Sequence, residues 1–308
     1  MKVLTGPQSS WEAGQASSVT IGVFDGVHRG HRALIARLRS DLVKTVLTFE
    51  PHPVEILRPG TPPRLITTVD ERVELLERAG VTQVGILDLA EIKDLDPEEF
   101  VEEVLLARLE LRHLVLGPDF RFGRDRSGDV ALLRHLGKHH GFEVETIEVI
   151  SDEEGPISSS RIRRLIEAGH VAEAASDLGS RFRVTAPVIP GDKRGAAIGY
   201  PTANMAPPDR KVIPAPGVYA AFAHVRGGTE RAAVNVGYRP TFGGGDLLIE
   251  AFIIDFDENI YGEELTVEFV ERLRDELAFS NVDDLIDKMA DDVSQTERIL
   301  ESTSVNVG

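Results

Sequence analysis

The chain has 308 residues, of which 42% are apolar and 28% are charged, and it contains no cysteine. This length predicts about two globular domains, each large enough to bury its own core. The lack of cysteine excludes a disulfide scaffold, a thiolate zinc site and a cysteine nucleophile. The net charge of −17 argues against a nucleic-acid-binding surface, because phosphate backbones are bound by lysine and arginine.

The first residues lack the apolar stretch of a signal peptide, and no apolar run approaches the roughly 20 residues that span a bilayer. We therefore expect a cytoplasmic protein without a membrane partner. Acidic residues are concentrated between residues 255 and 301, where they predict solvated helix faces. Phosphate binding in such a chain would depend on backbone N–H groups, a few basic side chains and Mg²⁺.

Strand-like and helix-like segments alternate through the first half of the chain. Short apolar runs predict strands at residues 19–24, 46–49, 84–89 and 114–116. Helical spacing of apolar residues predicts helices over 31–38, from Thr68 onward and over 97–109. Apolar strands separated by amphipathic helices are typical of parallel strands that are covered on both faces. The predicted fold class of this half is α/β with a doubly wound parallel sheet.

The pattern changes after the polar segment at residues 151–156. Residues 157–178 predict a pair of short helices that is bent at Gly169, and residues 181–269 contain short β-branched runs separated by glycine and proline. Such runs are typical of antiparallel strands in a small barrel or sandwich. A final amphipathic helix begins at Ser280 or Asn281 as its N-cap. We predict a domain of residues 1–180 and a second domain of residues 181–308.

The sharpest motif is GVFDGVHRGH at residues 22–31, where the first predicted strand gives way to a helix. Gly26 and Gly30 permit a close approach of the backbone to a ligand, and a helix N-terminus presents free N–H groups to phosphate. His28 and His31 lie on one face of the first turn. A lone histidine is usually structural. The strand, the glycines and the second histidine favour two donors for a leaving pyrophosphate.

Three further segments are expected at the same site. FEPHP at 49–53 follows the second strand, at the end where doubly wound sheets bind ligands. GPDFRFG at 117–123 follows a later strand and offers an acid and two aromatic rings, and ISSSRIR at 157–163 opens a helix with hydroxyls and cations. The serines are also explained by an N-cap, and Phe120 and Phe122 are also explained by core packing.

The second half carries a glycine-rich segment, GDKRGAAIGYPTAN at 191–204. Gly191 and Gly195 could let a loop wrap phosphates, although such a loop alone is weak evidence and no Walker A lysine closes it. Thr202 and Asn204 add the short oxygen-bearing side chains of a water-rich Mg²⁺ site, but a simple turn also uses these residue types. Glu250 lies in an apolar strand, where it is either a solvated carboxylate or a base for an alcohol nucleophile.

The motifs of the first half resemble those of the adenylyltransferase half of the prokaryotic bifunctional riboflavin kinase/FMN adenylyltransferase, a branch of the nucleotidylyltransferase superfamily with its HxGH motif. This resemblance implies transfer of AMP from MgATP to FMN by in-line attack, without a covalent enzyme intermediate. The residues it implies in ATP binding are Gly22, Phe24, Asp25, His28, His31, Ser159, Ser160, Arg161 and Arg163, with the two histidines catalytic. The flavin-binding residues it implies are His52, Pro53, Asp119 and Phe120, of which Asp119 also lies near the metal.

PTAN and the segments at 214–220, 235–242, 249–256 and 260–265 resemble the riboflavin kinase module of the same family, a small antiparallel β-barrel followed by a C-terminal helix. In that module the positions of Gly191, Gly195, Thr202 and Asn204 bind MgATP. Glu250 matches the base that acts on the ribityl 5′-hydroxyl. The implied substrates are riboflavin, FMN and ATP, and the implied metal is Mg²⁺, held by Thr202 and Asn204 here and by Asp119 in the first half.

The chain departs from the family pattern at Ala196 and Ala197, where the glycine-rich entry usually continues with arginine. Three readings follow. The leading one is a bifunctional enzyme that phosphorylates riboflavin to FMN and adenylylates FMN to FAD. The second keeps only FAD synthesis beside a decayed barrel, and the third is a flavin carrier or regulator without turnover. The sequence leaves open the oligomeric state and whether FMN passes directly between the sites.

Overall fold

The computed structural model describes residues 1–7, 11, 14–58, 60, 62–191, 195, 198–238 and 247–303. The chain forms two compact units, Met1–Ser159 and Ser160–Gly308. Each unit has its own sheet and its own buried residues, and each is described here by itself.

The strands of the first unit are, in chain order, β1 (Lys2–Leu4), β2 (Ser17–Ile21), β3 (Val43–Phe49), β4 (Gln83–Leu87), β5 (Leu111–Leu116), β6 (Arg121–Phe122), β7 (Gly128–Asp129), β8 (Glu143–Thr146), β9 (Ser151–Asp152) and β10 (Gly155–Pro156). Its helices are α1 (Arg29–Ala36), α2 (Pro53–Leu57), α3 (Val69–Arg78), α4 (Leu89–Ile92), α5 (Pro97–Glu99), α6 (Ala107–Leu109) and α7 (Val130–His140). A π-helix (Phe100–Leu106) joins α5 to α6, and a 3₁₀ turn (Arg124–Arg126) precedes β7.

Six strands of this unit form a parallel sheet in the order β1-β4-β3-β2-β5-β8. Successive residues of its strands face opposite layers of helices. Leu47 and Leu114 pack with the π-helix and α7 on one face, whereas Val46 and Val115 pack with Ile35 of α1 and other helical residues on the opposite face. The predicted α/β class and the doubly wound parallel sheet are confirmed.

The order of the strands creates a switch point at β2, because the chain goes from β2 to β3 on one side and later adds β5 on the other side. In doubly wound sheets, ligands bind at the carboxyl ends of the strands beside such a point. The motifs at 22–31, 49–53 and 117–123 follow β2, β3 and β5, which are neighbours in the sheet. The fold therefore brings these three segments to one edge.

The second unit begins with two helices, α8 (Ser159–Glu167) and α9 (Val171–Leu178). Ser159, the first residue of α8, is the last residue of the first unit. Its strands are β11 (Arg183–Ile189), β12 (Ala203–Met205), β13 (Gly217–Val225), β14 (Gly228–Tyr238), β15 (Leu247–Ile253) and β16 (Glu264–Arg274), and its last helix is α10 (Val282–Glu301). These strands form a closed antiparallel barrel in the order β11-β12-β15-β14-β13-β16. The predicted small barrel with a C-terminal helix is confirmed.

Helix boundaries follow capping residues that the sequence displays. Thr68 caps α3 and exchanges hydrogen bonds with Glu71, while Asn281 caps α10 through its bond from the N–H of Asp284. Gly169 has a φ of +83° between α8 and α9. A residue with a Cβ adopts that conformation only at a cost, so glycine fits the predicted bend.

The two compact units divide between Ser159 and Ser160. Within the second unit, α9 packs against β16 of the barrel. Arg161 of α8 also pairs with Asp177 of α9, at an Nε–Oδ2 distance of 2.8 Å. The domain boundary near residue 180 stays a prediction. Among the described residues, no helix is both long and apolar enough to cross a bilayer.

Candidate active sites

The turn after β2 presents two stacked imidazoles. His28 caps α1, and its Nδ1 accepts a hydrogen bond from the N–H of His31 at 3.4 Å. The two ring centroids lie 3.6 Å apart with an angle of 20° between the planes. Phe24 packs on the His31 ring at a centroid distance of 4.7 Å. The expected placement of both histidines on one face of the turn is confirmed.

Gly30, which lies between the two histidines in the chain, has no room for a side chain because the His28 ring occupies the space beside its Cα. A Cβ at this position would lie 3.1 Å from Cε1 of His28. Most residues could not keep such a contact without moving the imidazole. The glycine therefore leaves room for the His28 ring at the start of α1.

The surroundings of the imidazoles favour their neutral forms. Burial lowers the pKa of His28 to about 4, although the charge of Asp25 acts in the opposite direction. The pKa of His31 also falls well below its usual value, through desolvation and the nearby His28 and Arg72. Because Nδ1 of His28 already accepts a hydrogen bond, its proton lies on Nε2. Each ring thus keeps one N–H at neutral pH that can donate to a phosphate oxygen.

The turn itself has a strained backbone. Phe24 has a φ of +54°, Gly26 of +84° and Val27 of +41°. This region is unfavourable for a β-branched residue, and such strain persists only where neighbours enforce it. The carboxylate of Asp25 provides one restraint, because it accepts hydrogen bonds from the N–H groups of Ile66 and Thr67 at 3.1 and 2.9 Å.

These contacts change how the predicted ATP-binding residues are understood. Phe24 and Asp25 are both fully buried, so their side chains hold the turn. The N–H of Gly22 is bonded to the carbonyl of Leu47 at 3.0 Å. The side chain of Ser159 donates to the carbonyl of Asp25 at 2.9 Å, which fixes the same turn from the start of α8. Direct contact of these four residues with ATP stays a prediction.

The other predicted residues of the first unit follow β3 and β5. His52 is buried and caps α2, where its Nδ1 accepts from the N–H of Val54 at 3.1 Å and Pro53 occupies the first turn. Asp119 is exposed after β5. Phe120 is half-buried and stacks on Phe122 at 5.9 Å. Phe122 belongs to the core, as its alternative interpretation required.

Ser160, Arg161 and Arg163 belong to the second unit. Arg161 is largely buried in its ion pair with Asp177, and Arg163 donates to the Ser160 hydroxyl at 3.4 Å. The guanidinium of Arg161 therefore braces α8 against α9. The roles of these three side chains in ATP binding stay predictions.

A cavity of about 570 Å³ lies between the barrel and α10 in the second unit. Ile249 and Ala251 of β15 are fully buried, whereas the alternate residues Leu248, Glu250 and Phe252 line the cavity. From the opposite wall, α10 contributes residues such as Met289. Glu250 therefore faces neither the barrel core nor open solvent.

Polar side chains form one row across three strands of this cavity. Glu250 of β15 stands opposite Asn204 of β12 on one side and opposite Asn235 of β14 on the other. All three line the cavity, together with Thr202. Directly opposed residues on antiparallel strands have Cβ atoms about 4.5–5.5 Å apart. The carboxylate thus lies within reach of two carboxamides, and Asn235 is a member that the sequence alone did not reveal.

Two glycines of the glycine-rich segment, Gly191 and Gly195, have close neighbours. A Cβ on Gly191 would lie 2.2 Å from Nδ2 of Asn204, and one on Gly195 would lie 2.3 Å from the carbonyl oxygen of Tyr200. Both positions therefore require glycine in this arrangement. Ala196 and Ala197, where the chain departs from the family pattern, lie outside the described residues.

The sequence also did not predict that β16 and α10 form a wall of this cavity. Arg274 donates from Nε and Nη2 to the buried Asp292, at distances of 2.9 and 2.5 Å. Large apolar side chains surround the mouth of the cavity, and Tyr238, Leu277 and Val282 are more than half exposed there. Exposed apolar clusters of this kind mark ligand grooves. For Asn235, the alternation of polar and apolar residues along β14 and β15 was a signal in the sequence. That signal becomes informative only when the register between the two strands is known.

A smaller cavity of about 260 Å³ shares Thr202 with the first one. It is lined by the residues after β15, among them Phe256, Asn259 and Tyr261. Thr202 thus stands between two adjacent spaces, one wide and largely apolar and one narrower.

A family model described as FAD synthetase matches residues 11–161, and one described as riboflavin kinase matches residues 178–300. The chain belongs to the bifunctional riboflavin kinase/FMN adenylyltransferase family. Members named so from Escherichia coli (strain K12) and Bacillus subtilis (strain 168) are 34% and 32% identical to it. The alignments cover 95% of this chain and 96% of the first relative, and 96% of each chain for the second.

A solved structure described as a macrolide-efflux protein from Streptococcus pneumoniae has the same fold, with a TM-score of 0.89 and 33% sequence identity. The likeness covers 96% of this chain and 99% of that one.

Membership in this family confirms the leading reading. The protein is a bifunctional transferase that converts riboflavin and ATP into FMN and then FMN and ATP into FAD and pyrophosphate. The readings as a decayed kinase and as a flavin carrier without turnover are therefore set aside. The substrates riboflavin, FMN and ATP follow from the two matched domains.

Proposed function

We propose that the two reactions occur at the two sites described above, with FAD synthesis at the stacked imidazoles and riboflavin phosphorylation at the cavity beneath α10. The observation that carries the assignment is the polar row of Asn204, Glu250 and Asn235 inside an otherwise apolar cavity. The two sites then fall into the two matched domains, for which we keep the predicted ranges 1–180 and 181–308.

In the cavity, the isoalloxazine of riboflavin lies among the apolar side chains of the mouth, and the ribityl chain extends toward the polar row. Glu250 accepts the proton of the 5′-hydroxyl as its oxygen attacks the γ-phosphorus of ATP, and ADP leaves. A base within hydrogen-bond reach of the attacking hydroxyl accelerates such a step by about 10²–10⁴-fold. Asn204 and Asn235 orient the carboxylate and the hydroxyl from either side.

Thr202 and Asn204 bind MgATP, with Gly191 and Gly195 in the adjoining loop. The residues present fit a magnesium ion. Oδ1 of Asn204 is buried and accepts no hydrogen bond from the described residues, and the Thr202 hydroxyl offers a second neutral oxygen on the same short segment. Mg²⁺ prefers oxygen ligands and keeps several waters and phosphate oxygens. Bound there, it would neutralise charge on the transferred phosphoryl group.

At the first site, a phosphate oxygen of FMN attacks the α-phosphorus of ATP, and the bond to pyrophosphate breaks. His28 and His31 donate hydrogen bonds to the phosphates as negative charge grows on the leaving group. His52, Pro53, Asp119 and Phe120 face the flavin from the ends of β3 and β5. Ser159, Ser160, Arg161 and Arg163 contribute to holding the triphosphate.

The exposed carboxylate of Asp119 suits a magnesium ion that is otherwise held by ATP phosphates and water. No group of three or more histidine, aspartate or glutamate residues is arranged as a metal site within the described ranges. We further propose a cytoplasmic location, because both reactions consume ATP.

The cavity assignment is tested by changing its exposed rim. We expect Val282→Asp to raise the KM for riboflavin about tenfold, since burial of one valine side chain against a ligand contributes on the order of 1.5 kcal/mol, and to leave the KM for ATP unchanged. Val149→Asp is the matched control, because Val149 is 49% exposed against 55% for Val282 and lies in the first unit. An unchanged KM for riboflavin in Val282→Asp would show that the flavin binds at another surface of the protein.

A further inference from the structure

A buried arginine lies behind the stacked imidazoles, and neither the motifs nor the family resemblance singled it out. Arg72 of α3 is 1% exposed and belongs to the largest fully buried side chains of the protein. A guanidinium remains charged at every working pH. Burial of a charge is costly unless its environment compensates, so a buried arginine next to a candidate active site requires an explanation.

The hydrogen bonds of Arg72 connect α3 to the strained turn. Its Nη1 donates to the hydroxyl of Thr48 at 3.0 Å and to the carbonyl of Phe49 at 3.1 Å, at the carboxyl end of β3. The same hydroxyl donates to the carbonyl of Val23 at 2.7 Å. Val23 directly precedes Phe24, where the positive φ angles begin. Arg72 therefore orients a hydroxyl that anchors the entrance of the turn.

The turn has anchors on both sides of its strained residues. Asp25 is held by Ile66 and Thr67, and the N–H of Gly26 donates to the Thr67 hydroxyl at 3.1 Å. Thr67 lies immediately before the capping residue of α3. The segment before α3 thus supplies one anchor directly, and Arg72 of α3 orients the Thr48 hydroxyl of β3 that supplies the other. A backbone in the left-handed region returns to a more favourable conformation when such restraints are lost.

Charge also links Arg72 to the imidazoles. The titratable groups around the imidazoles and Arg72 come from several elements. Asp25 acts on His28, His28 and Arg72 act on His31, and Asp25 and Glu50 act on Arg72. Asp25 and Glu50 both stabilise the charged guanidinium, and the guanidinium in turn disfavours protonation of His31. Its Nε is buried and makes no hydrogen bond to the described residues.

We propose that Arg72 is a positioning residue for FAD synthesis, which anchors the entrance of the strained turn through Thr48 and places a permanent positive charge behind His28 and His31. Its anchoring keeps the imidazoles stacked at the start of α1, and its charge adds to the burial that disfavours protonation of His31. The inference rests on the proposed role of these two histidines in adenylyl transfer.

The residue type follows from this double task. A planar guanidinium at the end of a long side chain can donate to a hydroxyl and a carbonyl from one nitrogen and still carry a delocalised charge. Lysine retains the charge without the fixed fork geometry, and glutamine retains donors without the charge. The two substitutions therefore separate the anchoring from the electrostatic part.

The test uses the full chain and measures both activities of each variant. In Arg72→Gln we expect kcat for FAD formation from FMN to fall about 10²-fold, because misplacement by about 1 Å has that effect on an organised site. Riboflavin phosphorylation should be unchanged, which reports a folded second unit, and a wild-type circular dichroism spectrum reports that the first unit is folded as well. Arg72→Lys should lose less, and Thr48→Val should lose several-fold. Arg78→Gln, on the exposed last turn of α3, is the matched control and should leave both activities unchanged.

A second measurement separates positioning from a merely structural role. NMR titration of ¹³C-labelled histidine, with the His31 signal assigned from His31→Ala, follows the imidazole directly. The pKa of His31 should rise in Arg72→Gln, since one cause of its depression is removed. It should rise less in Thr48→Val, which loosens the turn but keeps the guanidinium, and should stay at the wild-type value in Arg78→Gln.

The outcomes are decisive in each case. If Arg72→Gln keeps its kinase activity and forms FAD at the wild-type rate, or if its His31 pKa does not rise, the proposal is wrong. If Arg72→Gln does not fold, Arg72→Lys and Thr48→Val decide, and wild-type FAD formation in both overturns it. If His28→Ala together with His31→Ala leaves FAD synthesis intact, the proposed function of the turn has failed, which is a separate result from the effect of Arg72.

Discussion

The two candidate sites of this protein are built in different ways. In the first unit, the histidines lie on a turn of ten consecutive residues at the end of a parallel strand, and buried side chains beneath the turn hold its backbone in place. In the second unit, the polar row is assembled from three antiparallel strands, and a helix from the end of the chain covers it. One site depends on local backbone geometry and the other on the register between distant segments.

This difference predicts how each site responds to change. At the turn, a substitution beneath the backbone displaces the imidazoles, because a strained conformation relaxes when its anchors are lost. At the barrel, the backbone is fixed by the closed ladder of strands, so removal of one side chain removes only its own chemistry. The following predictions test this contrast, from the largest expected effect to the smallest.

Glu250→Gln carries the largest expected effect. The substitution keeps the size of the side chain and the strand register, but it removes the proton acceptor, and loss of a general base costs about 10²–10⁴-fold. Riboflavin phosphorylation should fall by that factor, while conversion of supplied FMN to FAD stays near wild type. Product chromatography with each substrate measures both steps, and Glu271→Gln, an exposed glutamate on β16, is the matched control.

Thr202→Ala distinguishes a base from a nucleotide ligand at the same cavity. It should weaken MgATP binding, so that excess ATP and Mg²⁺ partly restore the kinase rate. No excess should restore Glu250→Gln, because its missing group acts on the hydroxyl. A Glu250 variant that regains the wild-type rate at high MgATP would reassign this residue to nucleotide binding.

His28→Ala and His31→Ala are expected to reduce FAD formation by about 10²–10³-fold each, the usual effect of losing one donor to a developing charge. FMN should accumulate from riboflavin at the normal rate, because the kinase site is in the other unit. His135→Ala, on an exposed position of α7, should change neither step. Parallel losses of both activities would show that the turn supports the fold and not the chemistry.

The same contrast explains which parts could be predicted from the sequence. The contiguous motif placed His28 and His31 on one face of a helix start, and the apolar periodicity was sufficient for both fold classes. Arg72 and Asn235 were not found, because their relation to the sites depends on contacts or register between segments that are far apart in the chain. The inward direction of the Asp25 carboxylate was not found either, because the position of this residue in the motif does not show which way its side chain points.

A smaller effect, on stability, is expected from Glu268 of the barrel. Burial acts to raise the pKa of this carboxyl, but interactions with His224, Arg181 and Arg183 lower it to about 2. Relative to its usual pKa near 4.5, this depression corresponds to about 3 kcal/mol of stability. The stabilisation is fully present above the unfolded-state pKa and is lost as the pH falls through the folded-state value.

We therefore expect Glu268→Gln to lower the free energy of unfolding of the barrel unit at pH 7, and the difference from wild type to shrink as the pH falls below about 4.5. Chemical denaturation at several pH values measures it. Glu263→Gln is the control, since its pair with Arg226 is exposed and exposed pairs contribute at most about 1 kcal/mol. If the Glu268 variant is as stable as the Glu263 variant, the cost of burying the Glu268 carboxylate cancels its attraction to Arg181, Arg183 and His224.

Mixing two inactive variants tests most directly that each site carries out one complete reaction. Glu250→Gln alone should form almost no FMN from riboflavin, and the double variant His28→Ala/His31→Ala should stop at FMN. Combined in one solution with riboflavin, ATP and Mg²⁺, they should produce FAD, because the FMN released by the second protein is a substrate for the first. If the mixture forms no FAD while each protein is folded, or if Glu250→Gln cannot adenylylate supplied FMN, the assignment of one reaction to each site is contradicted.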